Sequence, residues 1–228
     1  MISQNGTTTK GIKTRYGNHT YNCKTQEEYD AVMEIIDNFV AGFNYEDTET
    51  WRMYQFWLRE QAGEDISSEL ALEVPYTDKV SGMTGTMDNQ SLYGGFKSSI
   101  TYLESGLRGA INKDEFEQGI KLIAVSNSFA NIRFDGKDPG DGSPESAYDE
   151  LVLKRSDCDA QASSEMALFD RVGMNTTMLA DYGDAHAWAS FKLGKYWWGY
   201  NNFAPMGKTL NGLSEGTSVH RTSTYGIK

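Results

Sequence analysis

Two residues, Gly194-Lys195, separate the alternating run His186-Ala-Trp-Ala-Ser-Phe-Lys-Leu193 from Tyr196-Trp-Trp-Gly-Tyr-Asn-Asn202, and they constrain the fold more than any other feature of the chain. A loop this short joins antiparallel strands only, and glycine in first place suits a type II′ turn, whose positive φ a side chain resists. The register follows: Leu193 faces Tyr196, Phe191 faces Trp198, Trp188 faces Asn201 and His186 faces Phe203. Side chains alternate with a period of two, so His186, Trp188, Ser190 and Lys192 share a face with Trp197, Gly199 and Asn201. Asn201 becomes the diagonal neighbour of His186, about 7 to 8 Å away at the backbone. A slip of one residue would undo the arrangement. A short strand over 176–180 and a turn over 181–184 precede the hairpin.

Upstream the hydrophobic period is helical. Thr25-Gln-Glu-Glu28 is a capping box, followed by Tyr29, Val32, Ile36, Phe39 and Val40 at helical spacing until Gly42. A second helix is expected over 48–61, with Trp51, Tyr54, Trp57 and Leu58 on a packing face. Residues 74–97, rich in Gly, Met, Ser and Thr, read as an irregular connection bordering the active site. Asn112-Lys-Asp-Glu115 opens a further helix that carries Phe116, Ile120, Ile123 and Ala124 and ends near Phe129. Asp135, Asp138 and Asp141 recur every third residue in a Gly/Pro-rich stretch. That is not the alternate-position ligand pattern of an EF-hand, so the stretch reads as a solvated acidic turn and no metal is assigned.

Residues 156–173 read as a helix, capped by Ser156 or Asp157, burying Ala162, Met166, Phe169 and Val172 and ending at Gly173. Cys158 projects from its first turn, where unpaired backbone N–H groups and the helix dipole favour a thiolate, the nucleophilic form. Asp157 and Asp159 oppose that ionisation. The chain has two cysteines and three histidines, so competitors are few. His19 and His220 lie in polar segments, and Cys23 is read as structural. An imidazole acting on a thiol needs an acceptor on its second nitrogen to hold tautomer and orientation. Cys158, His186 and Asn201 fill the roles of nucleophile, base and orienter. The Cys158 N–H is one expected oxyanion donor, with Asn127, Asn131 or Tyr148 as candidates for a second. Trp188, Trp197 and Tyr148 are the candidate substrate-groove residues; at least one of Trp197 and Trp198 is expected in the core.

Ser146-Ala-Tyr-Asp-Glu-Leu-Val-Leu-Lys-Arg-Ser-Asp-Cys158-Asp-Ala-Gln-Ala162, then His186-Ala-Trp188, then Tyr196-Trp-Trp-Gly-Tyr-Asn201, resembles the core of the transglutaminase-like superfamily over roughly residues 120 to 205. The resemblance implies an α+β, papain-like core, with the nucleophile helix packed on an antiparallel sheet and a helical region N-terminal to it. It implies attack on an amide through a thioester. Two positions depart from the family pattern. Asn201 stands where aspartate is usual, as asparagine does in papain-like peptidases, and Lys154-Arg-Ser-Asp157 replaces a glycine-containing run ahead of the cysteine.

The expected division is a helical N-terminal region over 1–110, a catalytic core over 111–207 and a polar tail over 208–228. A net charge of −11 disfavours nucleic acid and anionic lipid as partners. No apolar run is long enough to span a membrane. The expected partner is a protein or peptide substrate, a cell-wall peptide among them, with no cofactor. Bacterial members of the superfamily are often exported, which makes the cell surface the expected location although the first residues lack a signal-peptide core. Two function classes stay open: a thiol peptidase or amidase, with amine transfer as a close relative, and an inactive cell-surface binding module on the same fold.

Overall fold

A computed structural model describes residues 20–77, 83–133, 144–181 and 186–199, together with short strands at 8–9, 12–13, 204–207 and 219–221. In chain order the elements are β1 (Thr8–Thr9), β2 (Ile12–Lys13), α1 (Gln26–Gly42), α2 (Glu49–Gln61), α3 (Ser67–Leu70), β3 (Glu73–Thr77), β4 (Thr84–Asp88), α4 (Asn89–Ser99) and α5 (Thr101–Gly106). They continue with α6 (Lys113–Phe129), α7 (Ala147–Leu151), α8 (Cys158–Arg171), β5 (Thr176–Asp181), β6 (His186–Leu193), β7 (Tyr196–Gly199), β8 (Ala204–Gly207) and β9 (Val219–Arg221). The class is mixed α+β with small antiparallel sheets. Among the described residues no helix is long and apolar enough to cross a membrane.

The chain divides into two units, one formed by Met1–Phe43 with Ile132–Lys228, the other by Asn44–Asn131. The expected boundary at residue 110 falls inside the second unit. α1 belongs with the C-terminal half because it packs on α7 and α8. Its N-cap is Thr25, whose side chain accepts from the Glu28 N–H, as the capping box requires. The reciprocal bond is shifted by one residue, from the Lys24 N–H to Glu28 Oε2 at 2.6 Å. Just ahead, Tyr21 and Asn22 take φ of +46° and +61°. The Cys23 N–H to Thr20 carbonyl bond, 2.8 Å, closes that turn. Side chains hold this left-handed pair in place: Tyr21 donates its hydroxyl to Asp170 Oδ2 at 2.9 Å, and Asn22 Nδ2 donates to the Glu145 carbonyl at 2.8 Å.

In the same unit α8 packs on β5 and β6, and also contacts α7 and α1. The sheet order is β8-β7-β6-β5-β9, antiparallel throughout. The β6–β7 register pairs Leu193 with Tyr196 and Phe191 with Trp198, as the two-residue loop dictates. Gly194 has φ of +59°, and Lys195 is not among the positive-φ residues, the signature of the II′ turn. The further pairs at Asn201 and Phe203 lie outside the described residues. Ala187, Ala189, Phe191 and Leu193 are buried at alternate positions of β6. Phe191 meets Phe169 of α8 edge to face with centroids 5.8 Å apart. Val172, expected in this core, is 36% exposed, because α8 ends at Arg171 and Gly173 with φ of +89° turns the chain away.

The unit Asn44–Asn131 is organised around α2 and α6. Thr48 caps α2, and Asn112 with Glu115 forms the capping box of α6. Trp57 and Tyr54 meet Phe116 at 5.0 and 6.1 Å between ring centroids. Phe116, Ile120, Ile123 and Ala124 are buried as their spacing predicts, whereas Leu58 of the expected α2 face is exposed. The irregular connection expected over 74–97 is overturned. β3 and β4 form an antiparallel hairpin, and α4 follows with Gly94 and Gly95 inside it. Asp88 caps that helix through the Ser91 N–H, and burial of Tyr93 and Phe96 outweighs the poor helix propensity of glycine. The acidic turn containing Asp135, Asp138 and Asp141 lies outside the described residues.

Candidate functional site

Cys158 is the first residue of α8, and the segment before it is built by local hydrogen bonding. Ser146 and Asp149 form a capping box that starts α7, and the Arg155 N–H bonds to the Asp149 carbonyl at 2.9 Å. Lys154 turns the chain with φ of +57°. Glycine adopts that conformation most easily, so the lysine holds a backbone position that favours glycine. Asp157 then caps α8, its Oδ1 accepting from the Asp159 and Ala160 N–H groups at 3.0 and 3.2 Å. Of the two cap residues expected, Asp157 is the one used. Ser156 instead turns a fully buried hydroxyl inward.

The Cys158 thiol is half-buried and lies against the backbone N–H of Ala187, the peptide group that joins it to His186. Burial pushes the thiol pKa up, and the charges of Asp159 and Asp157 push it further, against the lowering effect of hydrogen bonds from the Ala187 and Asp159 N–H groups. The helix N-terminus therefore does not by itself generate a thiolate, because burial of the thiol, with the charges of Asp159 and Asp157 added, outweighs it. Asp159 is pushed up to about 6, first by burial and then by Asp157 and Glu145.

Asp157, Cys158 and Asp159 bring one ligand atom each within 4.8 Å of one another. The set mixes hard oxygen with a soft sulfur, and one Asp157 oxygen is already engaged in capping. It is adjacent in sequence and carries the cap's own logic, so we assign it to no metal.

His186 opens β6, its backbone opposite Asp181 of β5. Asn201 lies outside the described residues. Trp188 is half-buried and faces Leu179 across the β5–β6 ladder. Trp197 is 5% exposed and Trp198 is fully buried, its indole N–H bonded to the Leu193 carbonyl at 2.9 Å, so both contribute to the interior. Tyr148 is half-buried in α7, in the unit that carries Cys158. Asn127 and Asn131 belong to the other unit, where Asn127 Nδ2 donates to Thr50 Oγ1 at 3.2 Å.

Sequence reading missed one group packed against α8. Arg133, Glu150 and Glu165 form a buried charged cluster with Ser156 and Gln161 attached. A signal existed in the spacing: Cys158, Gln161 and Glu165 fall on one stripe of α8, where Glu165 breaks the run of buried residues. Comparisons with protein-family models, with curated proteins and with solved structures return no match.

Proposed function

We propose that this chain is a thiol enzyme of transglutaminase-like, papain-like type that attacks an amide carbonyl of a peptide or glutamine side chain. The observation that carries the reading is the contact of the Cys158 thiol, at the head of α8, with the peptide N–H that follows His186. The head of α8 thus lies beside the first peptide unit of β6, which supports pairing Cys158 with His186 in the reaction. Because the thiol is held neutral, His186 acts as a general base at the moment of attack rather than as half of a standing ion pair. The thiol proton passes to the imidazole as sulfur bonds to the carbonyl carbon. The C–N bond then breaks, the leaving amine takes that proton, and a Cys158 thioester remains. Water attacks the thioester, the imidazole accepts its proton, and the acid is released with the thiol restored; an amine in place of water gives transfer. Asn201 is assigned to hold the second imidazole nitrogen, and the Cys158 N–H to stabilise the oxyanion. An acidic surface suits a neutral or cationic protein or peptide substrate, and exposure at the cell surface fits a cell-wall peptide.

The test is the pH dependence of iodoacetamide alkylation at Cys158, read by mass spectrometry, in the native chain and in His186→Ala. Cys23, 1% exposed, is the internal control. Rapid labelling near pH 7 that collapses in the variant supports the reading. Labelling indifferent to His186 would sink it in favour of the second reading, a non-catalytic binding module on the same fold, which the elevated thiol pKa favours.

A further inference from the structure

We propose that Arg133 is a positioning residue for the Cys158 thiol, acting through a buried clamp of Glu150, Glu165, Ser156 and Gln161. The inference rests on the reading of Cys158 as nucleophile. Arg133 precedes α7, and its side chain is 16% exposed. Its Nη1 donates to Glu165 Oε1 of α8, and its Nε lies 4.0 Å from Glu150 Oε1 of α7. Glu150 is fully buried and Glu165 is 6% exposed. The same Glu150 oxygen accepts the Ser156 hydroxyl at 3.3 Å, and Gln161 Nε2 donates to Ser156 Oγ at 3.2 Å. Ser156 stands two residues before Cys158, next to the cap, while Gln161 and Glu165 continue down α8 on the stripe that begins with Cys158. Four side chains thus tie α7, the connection into α8, and the first two turns of α8 to one guanidinium.

Stability alone does not account for such a cluster. Desolvating buried charges costs as much as their attraction returns, and an apolar filling would serve as well. What the guanidinium adds is a tie between segments: it hydrogen-bonds Glu165 of α8 and lies in ion-pair range of Glu150 of α7, whose Oε1 also accepts from the serine that leads into Cys158. The charge count is uneven, with two carboxylates against one cation, so one carboxyl retains a proton. Glu165 is that group, pushed up to about 8 by burial against the opposing pull of Arg133, with Glu150 adding to the rise; these two are the charged side chains that act on it.

The experiment measures the pH profile of Cys158 alkylation in full-length Arg133→Lys and Ser156→Ala chains, with folding checked by near-ultraviolet circular dichroism and by continued protection of Cys23. Lysine keeps the charge but not the fork, and alanine removes only the hydroxyl that links the clamp to the connection. With the clamp broken, the apparent pKa of Cys158 is expected to move toward the ordinary value of about 8.5 by at least half a unit, roughly three-fold in thiolate population at pH 7. A folded Ser156→Ala chain whose Cys158 profile matches the parent overturns the proposal, and it decides the matter if Arg133→Lys does not fold. Failure of the enzyme reading is seen separately, as parent labelling that does not depend on His186.

Discussion

Asp159→Asn removes a charge from beside Cys158 while keeping the shape of the side chain, and the structure sets the size of the effect. The reactive atoms lie no more than 4.8 Å apart. At that distance a carboxylate opposes a thiolate by about 1 kcal/mol at the dielectric of water and by about 3.5 kcal/mol at an effective value near 20. Both groups are half-buried, and solvent screening brings the figure to about 1.4 kcal/mol, or roughly one pKa unit. The variant thiol is then about ten-fold more ionised at pH 7.5. A less basic thiolate is also a poorer nucleophile, with a Brønsted slope of about 0.45, so the net gain in alkylation rate is about four-fold. Asp159 itself titrates near 6, so it is charged at pH 7.5 and neutral at pH 5. The ratio of variant to parent rates at Cys158, followed by mass spectrometry with iodoacetamide, should climb from about 1 at pH 5 to about 4 at pH 7.5 with a midpoint near 6. A ratio that stays at unity, or rises with no inflection near 6, would refute the electrostatic account. The loss of a first-turn carboxylate costs the helix about 0.5 kcal/mol, which a thermal melt run alongside will register.

Other perturbations probe the scaffold around the site. Lys154→Gly relieves a left-handed backbone and should raise stability by about 0.5 to 1 kcal/mol after the entropy cost of glycine, whereas Lys154→Val should lower it; urea midpoints decide. Tyr21→Phe deletes the hydroxyl bond to Asp170 and should cost about 1.5 to 3 kcal/mol, since the acceptor is charged; a loss below about 0.5 kcal/mol would show that the left-handed turn holds without it. Glu165 is more basic in the folded than in the unfolded chain, so its contribution is complete below its ordinary carboxyl range and is lost as pH rises through about 8. Stability should therefore fall by on the order of 2 kcal/mol between pH 6 and pH 8, and Glu165→Gln should flatten that fall; parallel pH dependences in the two proteins would remove Glu165 as the cause.

What the amino-acid sequence determined by itself is everything whose physics acts over a few residues. Thr25, Thr48, Asn112 and Asp157 start helices because each offers an oxygen to an N–H two or three residues on. Gly194-Lys195 sets the β6–β7 register because a two-residue loop leaves no freedom to slip. The position of Cys158 at a helix head was legible for the same reason. The β3–β4 hairpin and α4 were not, since glycine-rich composition signals irregular backbone until tertiary burial of Tyr93 and Phe96 overrides it.

Tertiary structure alone decided the rest. α1 joins the unit of α8 through contacts such as Asp37 of α1 to Arg171 of α8, which are distant in sequence and carry no periodicity that marks them. The clamp of Arg133, Glu150 and Glu165 draws on three separate segments, each of which taken singly reads as an ordinary surface charge. The ionisation of Cys158 is of the same kind. A helix dipole argues for thiolate from local geometry, but burial and two neighbouring carboxylates reverse the sign, and burial is a property of the folded chain that no short stretch of residues contains.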